Sequence, residues 1–105
     1  MSEPARGEVW WGEAPDEKGR PYLVLTRDQA IPVLRAILVA PVTRTVRGIP
    51  TEVPLGSAQG LLSPCAATVD NTLAFPKSML TRRMGALGPS RVNELCLAMS
   101  AALDC

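Results

Sequence analysis

Histidine is missing from all 105 residues of this chain, which removes the side chain that most often exchanges protons near neutral pH. Any acid–base chemistry must run on other groups. Cys65, Cys96 and Cys105 are odd in number and stand in no CxxC or Cys/His pattern, so neither a zinc site nor a cofactor is expected. They read as free thiols, with Cys65 and Cys96 acting as small hydrophobes in a strand and a helix. The chain also lacks any unbroken run of roughly 18 apolar residues, and its start, MSEPARGE, has no apolar segment. A cytoplasmic protein with no membrane span is expected.

What is present supports a folded core: apolar residues make up 47% of the chain and charged residues 20%. The length suits one domain over residues 1–105. A core of this size buries a modest share of its unfolded surface, which makes a homodimer attractive. The net charge of +1 conceals a segregation. Met1 to Asp28 carry four basic and six acidic residues, and Glu94 to Cys105 carry two acidic and none basic. Between them Arg35, Arg44, Arg47, Lys77, Arg82, Arg83 and Arg91 are opposed only by Glu52 and Asp70. A basic face of this kind attracts phosphates through counterion release.

Short apolar, β-branched runs separated by turn-formers predict strands at GEVWWGE, PYLVLT, AILVAPVT, TEVPL and CAATVDN. The third run is nearly all apolar and should be covered on both faces, with a bulge or bend at Pro41. Trp10 and Trp11 are adjacent in one strand and should point to opposite faces, one packed inside and the other available for a base, a partner chain or another protein, with core or dimer contact the favoured fate of both. After Gly88 and Pro89, the spacing of Val92, Leu95, Cys96, Met99 and Leu103 predicts an amphipathic C-terminal helix with Ser90 as its N-cap. The stretch KSMLTRRMG is expected to hold one further short helix or turn.

Four segments in register resemble the MazF/PemK toxin family. RGEVWWGE with GRPYLVLT is similar to the family's opening strands, and APVTRTVRGIPTEVPL to its strand ending in a catalytic threonine followed by a basic loop. GLLSPCAATVDN and KSMLTRRMGALGPSRVNELCLAMSAAL complete the order. The resemblance implies a mainly β chain folded as a compact SH3-like barrel with a C-terminal helix. It implies a homodimer that cleaves single-stranded RNA without a metal and is silenced by a cognate antitoxin protein. Two departures stand out. The loop EAPDEKG is shorter and more acidic than the glycine-rich Ser-Glu-Gln segment of many relatives, and Leu73 to Pro76 occupy the place of an Arg-Thr-x-Asp motif.

On this resemblance Arg20 and Thr43 match the catalytic pair. A guanidinium is a poor base but a good grip for phosphate oxygens, and a threonine hydroxyl can donate to the same phosphate. With no histidine, the general base is sought in the acidic loop, at Glu17 or Asp16. Asn71 stands where the family carries an amide at the RNA groove and is expected to read a splayed base, or to cap a turn. Arg44, Arg47 and Lys77 are expected phosphate contacts. Two other readings stay open: a non-catalytic small barrel that binds nucleic acid or protein, and a gyrase-inhibiting toxin of the same architecture.

Overall fold

All five short apolar runs become strands in the computed structural model, which describes residues 3–104. They are β1 (Glu8–Gly12), β2 (Arg20–Val24), β3 (Ala36–Thr43), β4 (Glu52–Leu55) and β5 (Cys65–Thr68). Two more strands follow, β6 (Leu73–Pro76) and β7 (Leu80–Ala86), and the chain continues into the helix α1 (Val92–Leu103). All pairings are antiparallel, in the order β4-β5-β3-β2-β1-β7 with β6 also on β3. The curled sheet with one closing helix is the mainly β, barrel-like class expected. Cys65 and Cys96 are free, as expected, while Cys105 lies outside the described residues.

KSMLTRRMG is a correction in its second half. A 3-10 turn occupies Lys77–Met79, but β7 takes over at Leu80. Alternation is hidden there because β7 is an edge strand with Thr81, Arg82 and Arg83 all exposed, and two register shifts interrupt its pairing with β1. In β6 only Phe75 is buried, too little to announce a strand by pattern.

β3 organises the sheet. One edge pairs with β2, and the other pairs first with β6 through Ala36–Val39 and then with β5 through Val42 and Thr43. Pro41 sits at this change of partner, where the Thr68 hydroxyl donates to its carbonyl at 2.9 Å. A residue without an N–H is tolerated where the ladder changes hands. The expectation of burial on both faces holds from Val39 to Ala40 and fails at Leu38, which is 45% exposed in a cleft beside Met99 and Ala102 of α1.

Alternate residues of β1, β2 and β3 feed two apolar clusters on opposite faces. Val9, Leu23, Ala40 and Val42 pack beneath Leu95 and Ala98 of α1, whereas Trp10, Tyr22, Val39 and Phe75 form the other cluster. Ser90 does not cap α1. Pro89–Arg91 forms a 3-10 turn running straight into the helix, and Arg91 anchors the start by donating to the Pro54 carbonyl (2.7 Å) and to Glu94 (2.8 Å). Leu103, expected on the apolar face, is 71% exposed at the last turn.

The N-terminal segment is held by Glu8, whose carboxylate accepts from the Ala5 amide, Trp10 Nε1 and Arg83 Nε. Burial would raise its pKa, but the hydrogen bonds from Arg83, Trp10 and Ala5 together outweigh that, so the carboxyl sits below 4.5. Its stabilisation is therefore complete above about pH 4.5 and is lost as pH falls below it. Glu8→Gln should cost about 1–2 kcal/mol in urea unfolding at pH 7. The deficit should shrink at pH 3; an equal deficit at both pH values would deny the carboxylate this role.

Candidate active site

The antiparallel register carries the two proposed catalytic residues toward each other. Tyr22 pairs with Pro41, Leu23 with Ala40 and Val24 with Val39. Extending that register by two residues brings Arg20, the first residue of β2, opposite Thr43, the last of β3. A side-chain bond supports the placement: Arg20 Nη2 donates to the Val42 carbonyl at 2.9 Å, immediately before Thr43. That bond uses one of the five guanidinium N–H groups. Arg20 is exposed and Thr43 half-buried. The Thr43 hydroxyl accepts from the Thr45 amide at 3.1 Å, which turns the chain out of β3 and leaves the hydroxyl proton free to point elsewhere.

Tyr22 belongs to this neighbourhood and was not singled out from the sequence. It lies on the same strand face as Arg20, and its ring packs against Phe75 with centroids 4.6 Å apart. Burial raises the phenol pKa, the Arg20 charge lowers it and the Glu17 charge raises it, for a net rise. Glu17 and Arg20 are thus both in electrostatic reach of one phenol that stays protonated at neutral pH. Glu17 is exposed on the β1–β2 connection, where its amide donates to the Ala14 carbonyl at 3.2 Å and the neighbouring Asp16 adopts φ 64°. The signal that would have found Tyr22 is the strand period, since it follows Arg20 by two. Gly12, paired with Arg20, makes room for the ring: a Cβ there would stand 2.9 Å from Tyr22 Cδ2.

The two indoles part as expected. Trp10 is buried and donates to Glu8, while Trp11 faces the other way beside a cleft of about 220 Å³. Pro21, Val42, Thr43, Leu61 and Met84 also line this cleft, and Arg44 stands at its rim. Arg44 is accordingly gathered with Thr43. The Arg47 amide donates to the Glu52 carboxylate at 3.0 Å, tying the loop after Thr43 down to β4 while the side chain is exposed. Asn71 is exposed in a 3-10 turn, Val69–Asn71, which leads from β5 to β6 along the β3 edge away from β2. Lys77 is not brought to this end. It lies beside Ala36, seven residues of ~3.3 Å from Thr43 along β3, where Nζ donates to the Ile31 carbonyl (2.7 Å) and pairs with Glu3 (3.2 Å). Among the described residues no group of three or more Cys, Asp or Glu stands together to hold a metal ion.

The chain matches the family model of the PemK-like, MazF-like toxin of type II toxin-antitoxin systems over residues 5–103. It is similar to the probable endoribonuclease MazF5 of Mycobacterium tuberculosis, 42% identical over 103 residues that cover 97% of this chain and 94% of that one. Among solved structures it is similar to the Mycobacterium tuberculosis toxin MazF-mt6, with TM-score 0.84 and 38% identity over 92% of this chain and 96% of that one. It also resembles an endoribonuclease from a mycobacterial species solved in complex with its cognate antitoxin, with TM-score 0.83, 25% identity and coverage of 96% and 95%.

Gly12→Ala tests how tightly the floor of this site is packed. A methyl group there should displace the Tyr22 ring and cost about 1–3 kcal/mol. Thermal unfolding measures it, and an unchanged Tm would mean that the ring moves aside freely.

Proposed function

Because the chain belongs to the PemK-like, MazF-like toxin family, we propose that it is an endoribonuclease toxin whose Arg20 and Thr43 act on one phosphodiester of single-stranded RNA. The observation that carries this reading is their convergence across the β2–β3 register, with the Arg20 fork held at Val42. The substrate's own 2′-hydroxyl attacks the adjacent phosphorus as it loses its proton, and the bond to the 5′-oxygen breaks as that oxygen gains one. The products carry a 2′,3′-cyclic phosphate and a 5′-hydroxyl. No metal takes part in this scheme.

Each residue has a distinct part. Arg20 grips the non-bridging oxygens and neutralises the charge that builds in the phosphorane. Thr43 donates its hydroxyl proton to the same phosphate and holds its orientation. Glu17 is the proposed base; its charge reaches the Tyr22 phenol that also feels Arg20, which supports a common site. Arg44 and Arg47 contact flanking phosphates, and Asn71 reads a base edge. Lys77 has its ammonium on Ile31 and Glu3, so any phosphate contact it makes lies at the far end of β3.

RNA cleavage inhibits translation and growth until a cognate antitoxin neutralises the toxin. An acidic antitoxin tail suits the positive excess between Gln29 and Asn93. A homodimer in the cytoplasm is the proposed working form. It is supported by two adjoining apolar clefts that share Leu25, Leu38 and Met99 along β3 and α1, a surface a second copy would cover.

Incubation with single-stranded RNA in EDTA, followed by analysis of the ends, should yield 2′,3′-cyclic phosphates; intact RNA would sink the proposal. Arg20→Ala should lower kcat/KM by about 10²–10³-fold with the fold intact by circular dichroism. Thr43→Val, similar in shape without the hydroxyl, should lose most of the rate. Full activity in either variant would remove that residue from the site.

A further inference from the structure

The Trp11 cleft is walled in part by Thr43 of the proposed catalytic pair, and its construction favours a flat apolar ligand. The indole is held rigidly. Gly19 lies so close to the ring that a Cβ there would come within 2.5 Å of it, and Trp11 Nε1 donates to Glu13 Oε1 at 2.9 Å. One side of the ring is thus backed by chain and its edge is fixed, while the cleft opens beside it, walled by Pro21, Val42, Leu61 and Met84. Leu62 at the lip is 103% exposed, an apolar side chain with nothing over it. At about 220 Å³ the space is smaller than the ~300–1,000 Å³ of sites for drug-sized ligands.

Charge selects among occupants. Thr43 lines the cleft, Arg44 stands at its rim and the Arg20 guanidinium bonds to the carbonyl of Val42, another wall residue. The ligand therefore has a planar apolar part small enough for this slot and an anionic group one bond chain away. A single nucleotide of the RNA meets both requirements.

We propose that this cleft is a nucleobase subsite: one base flanking the scissile phosphate leaves the RNA stack and packs on the Trp11 indole, while Arg44 holds the next phosphate. The proposal rests on the ribonuclease reading above and adds a residue that sets substrate choice. Stacking on a preformed indole wall is tolerant of base identity but demands that a base be present. The polar group that the slot offers from Ser63 supplies a means of discriminating base edges.

The test uses a short RNA cut by the wild-type protein in EDTA, together with the same RNA carrying an abasic residue on either side of the mapped cut. Removing one of the two bases should raise KM roughly tenfold or more, the weight of one base–aromatic stack. In Trp11→Leu the KM for the intact RNA should rise by a similar factor, and the same abasic replacement should then change it less than twofold. Ser63→Phe, which fills the slot and leaves the indole in place, should give the same insensitivity and keeps the test informative if Trp11→Leu does not fold. If abasic penalties stay equal in wild type and both folded variants, the subsite is wrong while the ribonuclease reading survives. If no RNA is cut by the wild type, the underlying reading fails and takes the subsite with it. Weakened binding of a co-expressed antitoxin in Trp11→Leu, with abasic penalties unchanged, would assign the cleft to a protein side chain and overturn the proposal.

Discussion

The register between β2 and β3 is the constraint on which the site depends. Strand side chains alternate with a period of two, so a slip of one residue turns each inward group outward. Here a slip would separate Arg20 from Thr43 and at the same time drive Leu23 and Val24, both fully buried, into the cluster on the opposite face, where neither fits the packing. The apolar clusters on the two faces thus enforce the alignment that the proposed chemistry uses. Because Tyr22, Leu23 and Val24 are locked in pairs with Pro41, Ala40 and Val39, the strand ends beyond them, Arg20 exposed and Thr43 half-buried, are carried into place by a rigid ladder. Thr43, paired with Ala66 and accepting from the Thr45 amide, is oriented in this way for the role proposed for it.

β3 carries a second burden by switching partners along one edge. β6 takes its first half and β5 its end, and the switch falls at Pro41 with the Thr68 hydroxyl on its carbonyl. The consequence is geometric. Thr43 emerges between β2 and β5, at the mouth of the Trp11 cleft, whereas Ala36 and Lys77 are taken to the opposite end. Positive charge that looked continuous in the sequence is divided by this arrangement: Arg44 joins the site, Arg83 pairs with Glu8 at 2.7 Å and Lys77 serves the turn at Ile31.

A site without histidine must settle its protonation states by other means. An arginine is charged at every working pH, and the buried Tyr22 phenol is held in its neutral form by desolvation despite the nearby guanidinium. The proposed base, Glu17, is the carboxylate whose charge reaches that phenol. Glu17 is exposed on the β1–β2 connection, while Arg20 is tethered to Val42.

Much was legible beforehand. The β-branched runs around Val9, Leu23, Val39, Val53 and Ala66 announced their strands, because each buries alternate side chains against a face, and the spacing of Leu95, Cys96 and Met99 announced α1. β6 and β7 were not legible, since an edge strand with Arg82 and Arg83 exposed, or a four-residue strand burying only Phe75, has no hydrophobic period to read. Ser90 does not serve as the cap that its position suggests, because Pro89 opens a 3-10 turn and Arg91 ties the helix to β4. The amino-acid order alone determined the family, the strand-rich class and the identity of the residues proposed for catalysis, all of which are local in the chain. Which of those residues meet was decided only by tertiary structure: Arg20 and Thr43 are joined by cross-strand pairing, Lys77 is removed by the same strand's length, and the Trp11 cleft exists only once distant loops close around one indole.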